Sequence, residues 1–347
     1  MKAVFVTRFG PPDVLEIREV PRPEPGHGEV LVRVKSIGLN FAEVFGRLGV
    51  YPSIPDPPFV PGIECSGVIE SVGSGVRRVK RGDKVMVFSR QGSYAEYVCT
   101  PERFVTKMPR GLSFDVAAAL SVTYYSAYHG LVTLANIRKG EKVLIHAGAG
   151  GVGTAAIQIA KYLGAEVFAT VGSDEKVQIA TGQGADHVVN YRTEDFGEFV
   201  KMKTGGEGID VVLDSVGGEV FKRGWNLLAP MGRYVVFGFA AVTGKSSISK
   251  IKALGQALRV PWIFPPSLVS KNVSLMGFNL YFLTHKVQYF RSVSDTILGW
   301  YSRKIIRPVL GRKFPLSRIV DAHTFLQSRK SVGKLIVDVD AERTGKP

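Results

Sequence analysis

The stretch KVLIHAGAGGVGTAAIQIAKYLGAEVFATVG, residues 142–172, most constrains what this chain can fold into. KVLIHA is a short apolar run, TAAIQIAKYLGA a helical pattern with small residues on its inner face, and EVFATVG a second β-type run. Between the first two, Gly148, Gly150 and Gly153 fit G-x-G-x-x-G, with Gly151 as an extra glycine and Val152 inside the turn. After a strand and before a helix this spacing has a physical reason. The first glycine makes a tight turn, the second lets the backbone approach a pyrophosphate, and the third lets helix and strand pack closely. The helix start then offers free N–H groups and a positive dipole end to phosphates.

The same alternation continues through DEKVQIATGQGA, HVVNY, DFGEFVKMKTGG, GIDVVLDSVG, EVFKRGWNLLAP and GRYVVFGF. Strands alternating with helices predict βαβ units and a parallel sheet covered on both faces. Before residue 120 the chain is rich in Gly and Pro, with short β-type runs such as KAVFV, EVLVRVKSIG and DKVMVFS between turn signals. That pattern predicts a mostly antiparallel β domain. The expected class is therefore α/β. A Rossmann-type doubly wound domain is placed at residues 122–273. A β domain at 1–121 is completed by 274–347, where NVSLMGFNL and KLIVDVD flank a helical stretch near 287–302.

The length of 347 residues suits two domains. No apolar run approaches the ~18 residues of a membrane span. MKAVFVTRFGPPDVLEIREV alternates like two strands around a turn and has no signal-peptide h-region, so the cytoplasm is the expected compartment. Cys65 and Cys99 make no disulfide framework and read as small hydrophobes. The net charge of +15 permits attraction to an acidic cofactor, nucleic acid or anionic lipid but identifies none.

About 20 residues beyond such glycines, NAD sites carry a carboxylate on the ribose 2′-OH. Here Gly172 and Ser173 stand in that place. They would not repel a 2′-phosphate, Lys176 is one helical turn on, and Tyr191 follows the next strand. Asp174 and Glu175 read as a cap and a solvated face. The predicted cofactor is NADPH, with Lys176 as a plain surface lysine the alternative.

AGAGGVGTAAIQIAKYLGAEV, with YPSIPDPPFVPGIECSGVIESVGSGV before it, resembles the medium-chain dehydrogenase/reductase superfamily, closest to its zinc-free quinone oxidoreductase branch. Within that branch, RGWNLLAPMGRYVVFGFA and LMGFNLYFL resemble the vesicle amine transport protein homologues. The resemblance implies that the β domain is GroES-like. It places Asn40 where zinc-dependent members have a cysteine, and Ile63 where they have a histidine. Neither binds zinc usefully. The four-cysteine structural lobe is absent, and the six histidines show no ligand spacing, so no metal is expected.

Without a Lewis acid the acceptor must take hydride readily, as quinones and activated enones do. The resemblance puts Asn40 by the nicotinamide and Tyr51 in the pocket mouth. Either could hydrogen-bond a carbonyl oxygen, and the proton could come from Tyr51 or from water. It also puts Thr123 on the nicotinamide amide, Phe237, Gly238, Phe278 and Leu280 along its walls, and Lys334 near the 2′-phosphate. A reductase of 2-enoyl thioesters and a cofactor-binding membrane-surface protein are the alternative functions.

Lys245, Lys252 and Arg259 recur every seven residues beside a stripe of Ile251, Leu254 and Leu258, with Trp262, Ile263 and Phe264 following. Residues 245–264 read either as a solvated insert or as a weak contact for anionic membrane. No nucleic-acid recognition module is visible. GRYVVFGFA, the last strand of the series, reads as an apolar sheet edge, and pairing it with a second subunit predicts a homodimer. The competing expectation is that 245–264 covers that edge.

Overall fold

A computed structural model describes residues 1–51, 53–240, 263 and 265–341. The alternating series forms a six-stranded, all-parallel sheet. Its order is His187–Asn190, Glu166–Val171, Lys142–Ile145, Ile209–Asp214, Leu228–Val236 and Ser274–Gly277. The first strand in sequence, Lys142–Ile145, lies third. The chain winds outward from it in both directions, so a crevice opens at the carboxyl ends of Lys142–Ile145 and Ile209–Asp214. Val143, Leu144, Ile145, Val211, Val212 and Leu213 are buried, as a sheet covered on both faces requires. Helix Gly151–Tyr162 lies close against this sheet because Ala155, Ala156 and Ala160 on its inner face leave room.

The β domain is a seven-stranded sheet in the order Leu310–Pro315, Lys334–Asp338, Glu29–Gly38, Glu64–Val72, Lys84–Phe88 and Val105–Lys107, with Tyr97–Pro101 also paired to Glu29–Gly38. All its pairings are antiparallel except Leu310–Pro315 with Lys334–Asp338. A separate hairpin joins Lys2–Val6 to Leu15–Glu19.

Two expectations are corrected. Leu228–Val236 is not the sheet edge, because Ser274–Gly277 pairs along its outer side. Ser274–Gly277 was assigned to the returning β domain but extends the parallel sheet. Helix Pro265–Lys271 precedes it and completes the crossover that a parallel strand needs. Helix Val287–Ser302 forms as expected, yet Val293, Ile297 and Trp300 enter the Rossmann-side core beside Ala155 and Ile159. The first boundary also falls inside an element. Helix Phe114–Tyr128 runs across residue 121, burying Leu120 and Tyr124 with the Rossmann core while Ala118 and Ala119 pack on Ile336 of the β domain. Of residues 245–264 only Ile263 is described, and it packs near Trp225 and Leu268; the basic stripe lies outside the described residues.

Candidate functional site

The glycine turn sits at the crevice. Gly148 donates to the Thr170 carbonyl at 3.0 Å and Gly150 to the Ala147 carbonyl at 2.9 Å, which folds the turn back on the strand end. A Cβ on Gly153 would lie 2.2 Å from the Ala147 oxygen, so only glycine lets the helix come this close. A Cβ on Gly150 would sit tightly against that same oxygen at 3.3 Å, so a side chain there would crowd the turn. Gly150 is the cap residue of helix Gly151–Tyr162, whose first N–H groups, starting with Gly151 and Val152, have no carbonyl one turn back. Thr123 packs beside Gly151, where a Cβ would sit 2.9 Å from its methyl carbon. This is a cradle that fits a pyrophosphate.

At the far end, a Cβ on Gly172 would lie 2.7 Å from the Tyr191 hydroxyl and 3.5 Å from Arg192 Nε. A side chain at 172 would displace the tip of the exposed Tyr191 ring. Ser173 occupies the N-cap position of helix Asp174–Gly182 without a capping bond from its hydroxyl. Asp174, expected as the cap, instead accepts from Asn190 Nδ2 at 2.8 Å, and Glu175 is exposed. Lys176 donates to the Arg329 carbonyl at 2.7 Å. Burial, and then the nearby Arg192, hold its ammonium below the usual lysine range. Lys176 and Arg192 thus come near each other, with Arg192 and the exposed Tyr191 both beside Gly172. Sequence reasoning missed Arg192; its only local signal was a basic residue following Tyr191.

Lys334 is corrected. It does not join Lys176 and Arg192. It is 4% exposed, its ammonium bonded to Asn40 Oδ1 and paired with the fully buried Glu64. Glu64 also accepts from Asn40 Nδ2 at 2.9 Å and from the Val122 N–H at 2.9 Å. Asn40 begins helix Phe41–Arg47 in a capping box with Glu43, which accepts from the Asn40 N–H at 2.7 Å and the Ile63 N–H at 3.1 Å. Asn40 is therefore held by Glu43, Glu64 and Lys334 together.

Glu43, Tyr51, Ile54, Phe59, Ile63 and Arg90 line a small cleft in front of it. Tyr51 donates to Asn279 Oδ1 at 2.8 Å, and burial pushes its hydroxyl up to about 12. That orients the phenol but engages its proton. Phe237 and Phe278 stack at 5.3 Å and 7°. Gly238 is required where a Cβ would approach the Ser215 oxygen to 2.7 Å. Leu280 turns into the main core and serves as packing behind the wall. Ile63 closes the cleft with hydrocarbon. Among the described residues no three His, Cys, Asp or Glu side chains converge in a way that could hold a metal. Cys65 is buried and its thiol pushed up to about 12, while Cys99 is half-buried.

Two family models match the chain: "Alcohol dehydrogenase GroES-like domain" over residues 26–110 and "Zinc-binding dehydrogenase" over residues 151–296. The synaptic vesicle membrane protein VAT-1 homolog of Danio rerio is 36% identical, covering 98% of this chain and 70% of that protein. The quinone oxidoreductase of Homo sapiens is 32% identical, covering 97% of each. The quinone oxidoreductase of Escherichia coli, solved with NADPH, superposes with a TM-score of 0.87 at 31% identity, over 97% of this chain and 100% of that one. The chain belongs to the medium-chain dehydrogenase/reductase superfamily, in its quinone oxidoreductase branch. It is an oxidoreductase with a GroES-like domain and an NADP-binding Rossmann domain. "Zinc-binding" describes the family model, whereas the positions that the resemblance matches to zinc ligands hold Asn40 and Ile63 in this chain.

The groups around Gly172 give one prediction. Lys176→Ala and Arg192→Ala should each weaken NADPH binding by about ten- to a hundredfold, the effect of one charge-assisted bond, and leave NADH binding nearly unchanged. Fluorescence titration with both cofactors measures this.

Glu43 gives another. Burial lifts its carboxyl from the usual 4.5 to about 7, against the pull of Lys334 and of the Ile63 N–H. A carboxyl raised on folding favours the folded state while it is protonated. Its contribution is full below pH 4.5 and is lost as pH rises through about 7. Glu43→Gln should therefore remove a downward slope of stability across that window, read as the difference between parent and variant urea midpoints. Parallel curves would overturn it.

Proposed function

We propose that this protein is an NADPH-dependent, zinc-independent reductase of quinones or activated enones. The observation that carries this reading is the approach of Tyr191 and Arg192 to Gly172, with Lys176 near Arg192, alongside a cleft lined by Tyr51 and Ile63. NADPH supplies the hydride. The glycine turn holds the pyrophosphate, and Lys176, Arg192, Tyr191 and Ser173 take the 2′-phosphate. Thr123, Phe237, Gly238 and Phe278 place the nicotinamide end beside Asn40. Lys334 and Glu64 fix Asn40, while Ile63, Phe59 and Ile54 keep water from the acceptor. An acceptor carbonyl in that cleft becomes an electron-rich oxygen on reduction, and Tyr51 is within the same walls to hydrogen-bond it. Because Tyr51 already donates to Asn279, a water at the cleft mouth is the simpler proton source.

Turnover of phenanthrenequinone with NADPH should be readily measured, and dialysis against a strong chelator should leave it unchanged. Activity that vanished on dialysis and returned with stoichiometric zinc would overturn the metal-free reading. Reduction of a 2-enoyl thioester in preference to the quinone would move the acceptor class.

A second reading follows from the similarity to proteins named as vesicle membrane proteins. No helix among the described residues is long and apolar enough to cross a membrane, so contact would be at the surface, through the basic residues of 245–264. Sedimentation with anionic liposomes at two salt concentrations tests it.

We also propose a homodimer, with the seam moved from Leu228–Val236 to Ser274–Gly277, the outermost strand of the sheet among the described residues. That strand is largely exposed, Leu275 included. The Phe278 N–H points inward to the Val236 carbonyl, so by alternation the Leu275 N–H points outward. Leu275→Pro removes that donor and should shift the protein from dimer to monomer in light scattering across a dilution series. A parent that scatters as a monomer at micromolar concentration would refute the dimer.

A further inference from the structure

Among the described residues, the acceptor cleft offers its occupant chiefly hydrocarbon, from Ile54, Phe59, Pro61 and Ile63. Glu43 and Arg90 also line it, but each is engaged elsewhere. The Glu43 carboxylate accepts from the Asn40 and Ile63 N–H groups at 2.7 and 3.1 Å. Arg90 donates from Nε to Thr284 Oγ1 at 3.1 Å, and its guanidinium lies over the Tyr281 ring at 5.4 Å. Burial raises both the Glu43 carboxyl and the Tyr51 hydroxyl, as a dry cleft does.

The apolar surface does not stop at the cleft. Tyr51 meets Tyr281 edge to face at 5.8 Å, and Tyr281 meets Phe282 in the same way at 5.6 Å. Tyr281 is fixed there by its hydroxyl, which donates to the Ser53 carbonyl at 3.2 Å. This row of rings runs from the cleft out to solvent, where Phe282 is 49% exposed. Next to Tyr51 in the chain, Val50 is also 49% exposed. Behind Val50, Phe9 lies against Gly49, where a Cβ would meet its ring at 2.8 Å, and Phe9 too is exposed. Single exposed apolar side chains are ordinary, but three gathered beside one apolar cleft mark a binding surface.

We propose that the acceptor is an amphiphile, with a reducible quinone or enone head in the cleft and a hydrocarbon tail lying across Val50 and Phe282. This rests on the reductase reading and names the acceptor class within it. The cleft is small, so it takes the head and leaves the tail to the rim. A quinone head gains a hydride and one proton, becoming the hydroquinone as NADPH becomes NADP+. The rim takes no part in that step and acts only on how tightly the acceptor is held.

The test is steady-state turnover by the full chain of methyl-, butyl- and octyl-benzoquinone with NADPH, each below its solubility limit. A methylene fully removed from water gains about fourfold in affinity, so a tail half covered over several methylenes should raise kcat/KM by about tenfold from methyl to octyl, mainly through KM. Val50→Ser and Phe282→Ser should each lower that octyl-to-methyl ratio by about threefold, since each removes part of the apolar contact. Calorimetry of the NADP+-loaded chain with methyl- and octylhydroquinone reads the same preference without turnover. A chain that reduces no quinone yet holds octylhydroquinone far more tightly than the methyl compound would sink the reductase reading and keep the tail site. An octyl-to-methyl ratio near one in both measurements, or one that both variants leave unchanged, would overturn the tail site. If those variants instead lost attachment to phosphatidylcholine vesicles, or lost the dimer, with the ratio intact, the rim would belong to a bilayer or to a second copy of the chain.

Discussion

The structure depends on one buried ion pair. Lys334 comes from the last strand and Glu64 from a strand of the GroES-like sheet. Between them stands Asn40, 294 residues from Lys334 in sequence. Glu64 reaches on to the Val122 N–H in the helix that joins the domains. Burying two charges is favourable only when the remaining polar atoms are also satisfied, and removing one partner typically costs about 3–5 kcal/mol. Here the amide of Asn40 and the N–H of Val122 supply that satisfaction. The pair thereby joins four segments at the point where the dinucleotide cradle meets the acceptor cleft.

The same pair bears on the proposed metal-free chemistry. A positive charge does stand beside Asn40, but it is a buried ammonium engaged by an amide oxygen and a carboxylate. Asn40 is a fixed dipole rather than a ligand, Ile63 offers only hydrocarbon, and Glu43 holds both backbone ends of this corner. Such a site positions and desolvates. It leaves the bond-making to a cofactor that carries its own hydride.

The proposed cofactor preference rests on a different device, a missing side chain. Gly172 lets the Tyr191 hydroxyl approach to where a Cβ would lie 2.7 Å from it, with Arg192 in ordinary contact at 3.5 Å. The turn at Gly153 uses the same device, trading a side chain for a close contact between helix and strand.

The glycine turn, the strand–helix alternation, the helix at Val287–Ser302 and the amide and hydrocarbon at positions 40 and 63 were legible in the sequence. Each depends on neighbours within a few residues, where backbone geometry and residue type suffice. The place of Ser274–Gly277 beside Leu228–Val236 was not legible, because a four-residue strand carries no mark of which partner it will pair with. Nor were the anchoring of Lys334 by Glu64, the engagement of Tyr51 by Asn279 or the approach of Arg192 to Gly172. Local spacing by itself determined a dinucleotide-type turn, and the resemblance to a known family marked positions 40 and 63 as lacking zinc ligands. Only the tertiary structure decided which charges meet, since electrostatic partners are set by distance and burial after the chain has folded, not by separation along it.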